Sequence, residues 1–198
     1  MRPRPAGVPA FRRVAAAVLA LGLLAGPAAA GEVGQLEVEA DPEGGQHAVA
    51  TLHLPVPPAV VQAVLTDYER WGSLFGVSMR LARISRLPGR VVTDVYVQHP
   101  ILPGESRLLC ESRELPGGGL VTMLIEGDFK RYVRTWRFQP EGDGSSTKAL
   151  FDLRVDVKTW APDWLVAIEL RRQLTKHFGI LREAVTARAA ARGAGPTH

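Results

Sequence analysis

The stretch that decides the fold reads DWLVAIELRRQLTKHFGILREAVTARAA, from Asp163 to Ala190. Leu170, Leu174, Phe178, Leu181 and Val185 recur at the spacing that sets side chains along one stripe of an α-helix. Arg172, Lys176, Glu183 and Thr186 fall on the opposite side, so the pattern predicts a long helix with a wet back and a covered front. Arg171 lies at the stripe's edge, within reach of a ligand's polar end or of solvent. Gly179 falls off the stripe, costs about 1 kcal/mol relative to Ala in a helix interior, and is a candidate bend.

What covers that front has to come from the preceding chain, which reads almost entirely as strands. Turn signals recur at Asp41-Pro42-Glu43-Gly44-Gly45, Leu87-Pro88-Gly89, Pro103-Gly104, Pro116-Gly117-Gly118-Gly119 and Glu141-Gly142-Asp143-Gly144. Between them lie segments of hairpin length: Leu36 to Ala40, His47 to Leu54, Val77 to Leu87, Arg90 to Gln98, Ser106 to Leu115, Leu120 to Gly127, Arg131 to Pro140 and Thr147 to Lys158. In the last, Ala149, Phe151, Leu153, Val155 and Val157 alternate with Lys148, Asp152, Arg154, Asp156 and Lys158, the pattern of a sheet wet on one face only. Tyr132, Arg134, Trp136 and Phe138 alternate in the same way. The exception follows Pro55-Val56-Pro57-Pro58, where Pro58 suits the first turn of a helix carrying Val60, Val61, Val64 and Leu65, and Trp71 to Phe75 adds a second short helix. The fold class is therefore α+β: an antiparallel meander, one or two short helices after the first strands, and a long C-terminal helix.

The chain has 198 residues, enough for one domain with a proper core. Residues 1–30 read as a secretory signal peptide: Arg2, Arg4, Arg12 and Arg13 precede an apolar run from Val14 to Gly26, and Ala28-Ala29-Ala30 offers a cleavage site near Ala30. The run is short for a membrane span, which leaves an uncleaved anchor as the alternative. No Asp or Glu lies before residue 31, so the mature chain carries 20 acidic and 20 basic residues and the pI of 9.6 belongs to the leader. A global basic field for nucleic acid is absent. Glu32, Glu37, Glu39, Asp41 and Glu43 cluster at the mature N-terminus and Arg171, Arg172, Lys176, Arg182, Arg188 and Arg192 near the end, as solvated faces or as a partner site. Cys110 is the single cysteine, so no internal disulfide forms and its default role is a small buried residue. The expected organisation is a signal peptide (1–30), an N-terminal strand or hairpin extension (31–45), the main domain (46–190) and a disordered tail (191–198).

This order of elements, with Val64-Leu65-Thr66-Asp67-Tyr68-Glu69-Arg70 after the first strands, Glu126-Gly127-Asp128-Phe129 before Tyr132, and Trp136-Arg137-Phe138, resembles the START-like (SRPBCC) superfamily over roughly His47 to Arg188. It is most similar to the polyketide cyclase/dehydrase and coenzyme Q-binding branch, in an exported bacterial form. The resemblance implies a helix-grip fold, a bent sheet wrapped around the C-terminal helix with a cavity between them. It also implies an apolar ligand such as a lipid, sterol, quinone or polyketide, with catalysis in a minority of members. A fold with so many uses does not name one activity.

No nucleophile elbow, phosphate loop or dinucleotide fingerprint occurs, and the histidines have no metal-ligand spacing, so no cofactor and no metal are expected. His47 and His53 read as surface positions of one strand. His177 borders the apolar stripe as a general base, a ligand's hydrogen-bond donor or a satisfied edge histidine. Glu126 and Asp128 are either a close carboxylate pair with one raised pKa or a turn pair neutralised near Lys130 and Arg131. Arg134 joins His177 and Glu126 as the weak catalytic candidates. The expected cavity residues are Trp71, Phe75, Val95, Val97, Cys110, Met123, Trp136, Phe151, Val155, Leu170, Leu174 and Phe178, and a one-residue bulge would reverse the facing of any strand among them. Ile101, Leu102, Trp160 and Trp164 either rim a mouth or fold inward to cap the core. The leading reading is an extracytoplasmic, periplasmic binding or carrier protein for an apolar small molecule, with transient membrane or envelope-protein contact. A cyclase or dehydratase acting on such a molecule is the first alternative, and an envelope interaction module with a filled core the second.

Overall fold

The computed structural model describes residues 35–100 and 104–193. The signal segment 1–30, Ile101 and Leu102 lie outside the described residues. Eight strands form one antiparallel sheet: β1 (Glu37–Ala40), β2 (Gln46–Leu54), β3 (Ser78–Leu87), β4 (Arg90–Gln98), β5 (Glu105–Glu114), β6 (Gly119–Gly127), β7 (Phe129–Glu141) and β8 (Ser146–Val157). Their order across the sheet is β1-β2-β8-β7-β6-β5-β4-β3, so six strands follow as a meander and β2 returns to pair with β8. Two helices, α1 (Pro58–Leu65) and α2 (Trp71–Leu74), joined by a 3₁₀ turn at Tyr68–Arg70, carry the chain from β2 to the far edge at β3. The long helix α3 (Asp163–Gly193) follows β8. Among the described residues no helix is long and apolar enough to cross a membrane.

Pro58 opens α1, where its missing N–H removes nothing the helix needs. The carbonyl of Leu65, left free at the other end, accepts a hydrogen bond from Trp71 Nε1 at 2.9 Å, which anchors the four-residue α2. Bulges interrupt the ladder between Leu81 and Arg83, between Leu109 and Cys110, and between Phe129 and Arg131. Each adds twist and bend, and together they curve the sheet toward α3. Gly119 leaves its turn at φ +129°, and the Trp136 carbonyl oxygen occupies the space a Cβ would need, so the backbones there pass at a distance only glycine allows.

The helix stripe divides in two. Phe178, Leu181 and Val185 are fully buried against the sheet and α1, whereas Leu170 is only half-buried and Leu174 stands between the two regimes. Arg172, Lys176, Glu183 and Thr186 are exposed, as the spacing requires. Arg171 turns outward and donates to Leu36 O at 2.7 Å, tying α3 to the segment before β1 rather than reaching a ligand. The helix runs unbroken through Gly179 and on to Gly193, past the expected boundary at residue 190, because the alanine-rich end keeps a high helix propensity. Of the N-terminal acids, Asp41 is buried and held by Arg131 and Arg154, each at 3.0 Å, and Glu43 pairs with Arg131 at 2.7 Å, so these two bind within the fold.

The two sides of α3 should respond oppositely to mutation. Phe178→Ala removes a ring packed on Trp136 and Phe151 and is expected to cost about 3–5 kcal/mol in urea denaturation. Gly179→Ala places a methyl group in open space and is expected to add about 0.5–1 kcal/mol by lowering unfolded-chain entropy.

Candidate functional site

A cavity opens along the N-terminal half of α3. Val166, Glu169, Leu170, Gln173, Leu174 and His177 face it from the helix, a run of roughly 16 Å at the α-helical rise. Its volume is about 150 Å³, taken as room for the centres of water molecules. A single trapped water needs about 10–15 Å³ on that measure, so the space suits a ligand rather than a structural water, and the core in front of the helix is not filled.

Nine of the expected residues line it: Trp71, Phe75, Val95, Val97, Cys110, Phe151, Val155, Leu170 and Leu174. Three do not. Met123 points to the other face of β6, because Thr122 takes the cavity position there and pairs with Arg134 across the ladder. Trp136 and Phe178 have the right facing but are fully buried beneath the cavity, 5.8 Å apart edge to face, and form its floor. Thr93 and His99 join the lining, and the sequence carries the signal for them, since the period of two in β4 sets them on the face of Val95 and Val97. Thr122, Glu169 and Gln173 also line the cavity, and only their polarity argues against them.

The three catalytic candidates separate. Glu126 faces solvent, where it accepts a hydrogen bond from Arg107 at 2.9 Å. Asp128 accepts one from the Arg107 backbone N–H at 2.7 Å, so the pair is structural, and its cation is Arg107 rather than Lys130 or Arg131, which serve Asp156, Asp41 and Glu43. His177 and Arg134 instead face the cavity, 2% and 3% exposed respectively.

His177 Nδ1 donates to Leu74 O at 2.6 Å, and its ring stacks on Phe75 at 4.5 Å and 4°. A carbonyl only accepts, so Nδ1 carries the hydrogen and Nε2 presents a lone pair. Burial lowers its pKa to about 4, helped by the charge of Arg134. The Arg134 guanidinium lies over the rings of Trp71 at 4.9 Å and Phe75 at 5.5 Å, and its Nη2 reaches Thr122 Oγ1 at 3.4 Å. Such ring contacts return about 1–2 kcal/mol, while a buried ion without a partner costs several. At the other end, Glu169 is buried but accepts from Arg172 at 2.7 and 2.9 Å and from Gln173 Nε2 at 2.5 Å, and these bonds hold its pKa low. Burial depresses His99 in the same region, so that imidazole is held neutral. Burial pushes the Cys110 thiol up to about 12, which makes it an inert wall.

Among the described residues five buried side-chain atoms lack a hydrogen-bond partner: Trp136 Nε1, behind the lining, and Thr93 Oγ1, Arg134 Nε, Gln173 Oε1 and His177 Nε2, whose residues all line this cavity. Buried polar atoms are ordinarily satisfied, so the wall of this cavity carries unused hydrogen-bonding capacity. Among the described residues no cluster of His, Cys, Asp or Glu has the arrangement of a metal site. Trp160 and Trp164 are 84% and 65% exposed, one residue after the lining residue Thr159 and two before the lining residue Val166. They do not fold inward to cap the core.

A curved sheet gripping a helix over a largely apolar cavity defines a START-like fold of the hydrophobic ligand-binding or cyclase-like kind. Residues 54–176 match the sequence profile described as polyketide cyclase/dehydrase and lipid transport, more than half of the chain, and the protein belongs to that family within the START-like superfamily. No curated protein matches it by sequence. Similar solved structures include a protein from Thermus thermophilus, with a TM-score of 0.61 and 23% identity over 71% of this chain and 97% of that one. A START superfamily protein from Mycobacterium smegmatis gives 0.58 at 18% identity, covering 71% of this chain and 97% of that one. An aromatase/cyclase from a Streptomyces species gives 0.56 at 15% identity, covering 75% and 96%. At these identities the likeness is one of fold.

The buried imidazole makes a prediction about pH. An unfolded histidine takes up its proton near pH 6.5, whereas the folded protein refuses it until about pH 4. Stability should therefore fall as pH drops through that window, by up to about 3 kcal/mol from this residue. Urea denaturation at stepped pH should show a shallower loss in His177→Gln than in the wild type, and equal slopes would overturn the assignment.

Proposed function

We propose that the protein binds an apolar small molecule of the lipid, quinone or polyketide-like kind in the cavity along α3 and carries it outside the cytoplasm. The observation that carries this reading is the convergence of four unpartnered polar atoms on one apolar, partly open cavity. An apolar body fills the space between β4, β5, β8 and α3, and a polar group engages the residues at its ends. Export rests on Arg2, Arg4, Arg12 and Arg13 before the apolar run. Trp160, Trp164 and the 58% exposed Ile168 give the carrier an apolar edge for transient contact with a membrane or an envelope partner.

A cyclase or dehydratase is the second reading, favoured by Arg134 and His177 sharing the cavity. Arg134 would polarise a carbonyl while His177 Nε2 takes a proton. A base with a pKa of about 4 is weak at neutral pH, so binding is the stronger reading.

Native mass spectrometry of the protein isolated from its own host should show a bound apolar species released by solvent extraction. Added back at a hundred times its Kd, that species should raise Tm by roughly 5–11 °C, and Leu170→Trp, which fills the cavity, should abolish the shift. A protein with no extractable ligand and no shift across lipids and quinones would sink the carrier reading. N-terminal sequencing of the mature protein tests the cleaved leader separately, with a start close to Gly31 expected and an intact Met1 or Arg2 contradicting cleavage.

A further inference from the structure

Strand alternation in β7 puts Arg134 between Tyr132 and Trp136 on the concave face, where no loop can swing it out to water. An arginine keeps its proton in a protein. What balances this one is therefore a question about the whole cavity. Among the described residues its polar contact is the long one to Thr122, its Nε has no partner, and no carboxylate ion-pairs with it. Glu126 and Glu169 are taken up by Arg107 and Arg172. Three acidic groups sense its charge: Tyr68, Tyr132 and Cys110. Burial raises all three, so each stays protonated at neutral pH and none supplies a negative charge. The rings of Trp71 and Phe75 offset only part of the cost of burial.

The geometry points to an occupant that brings the missing charge: an amphipathic molecule whose apolar body lies along α3 and whose anionic oxygen, a carboxylate or phenolate, pairs with Arg134. His177 Nε2, a bare acceptor beside Phe75, suits a neighbouring hydroxyl on the same head group. The inference rests on the binding reading above and narrows it, with Arg134 as the residue that selects acids over neutral analogues of the same shape.

The test compares matched acid and ester pairs by isothermal titration: dodecanoic acid with its methyl ester, and 2-naphthoic acid with its methyl ester. Wild type should favour at least one acid over its ester by about tenfold or more, equivalent to about 1.4 kcal/mol. Arg134→Met and Arg134→Gln should lose that preference while still binding the ester, and Arg134→Lys should keep part of it. Without ligand, both neutral variants should melt above the wild type, since they remove an unmatched buried charge. Equal binding of acids and esters by the wild type overturns this inference and leaves the apolar carrier intact. No binding of any probe overturns both. Neutral variants that melt below the wild type, or fail to fold, show a structural arginine and overturn it as well.

Discussion

Phe178 meets the ring of Trp136 at 5.8 Å and that of Phe151 at 5.1 Å, both edge to face, and all three are buried. This contact clamps the middle of α3 onto the sheet. The N-terminal half is held separately at the β1–β2 edge, where Gln46 donates to Asp163 O and Arg171 to Leu36 O. The cavity in front of Leu170 and Leu174 lies N-terminal to the aromatic contact along the helix. Close packing and open space thus share one helix, and the aromatic contact marks where the first gives way to the second.

The residues around that space sit at odds with stability. A fold selected only for stability would put a carboxylate beside Arg134 or replace it with a hydrophobe, and would give Thr93, Gln173 and His177 their partners. Charged groups elsewhere are matched: Arg107 is shared by Asp94 and Glu126, Asp41 by Arg131 and Arg154, and Glu169 by Arg172 and Gln173. Local departures of this kind concentrate where proteins bind or react, and here they concentrate in one place. The cost is tolerable because the aromatic floor, the closure of the sheet by β2 and the helix stripe supply the core elsewhere.

Much of the fold is readable in the sequence because each element carries its own period. The strand segments, the Pro58 helix and the stripe from Leu170 to Val185 follow from alternation, turn chemistry and 3.6-residue spacing, all local signals. The site is readable where facing follows from those periods, as for Val95, Val97, Phe151 and Val155. Depth is not. Trp136 and Phe178 have the correct facing yet form the floor, since periodicity gives direction and not distance from the ligand. Hydrophobicity alone favours Met123 over Thr122, although a threonine whose hydroxyl is met by Ser112 and Arg134 fits a cavity wall. The partner of Glu126 is hidden because Arg107 lies on the neighbouring strand, and cross-strand register depends on the bulge between Leu109 and Cys110.

The pairing of β2 with β8 bears on how the chain is made. His47 and Asp152, whose side chains hydrogen-bond across those two strands, are 105 residues apart. Synthesis runs from the N-terminus, so β2 emerges with one flank covered only by the short β1 and the other bare until nearly the whole sheet has followed. A bare strand flank invites pairing with other chains, and non-local closure of this kind is slow. The nascent chain thus has a long window of vulnerability to aggregation, during which a holding chaperone would matter more than for a fold assembled from neighbours in sequence.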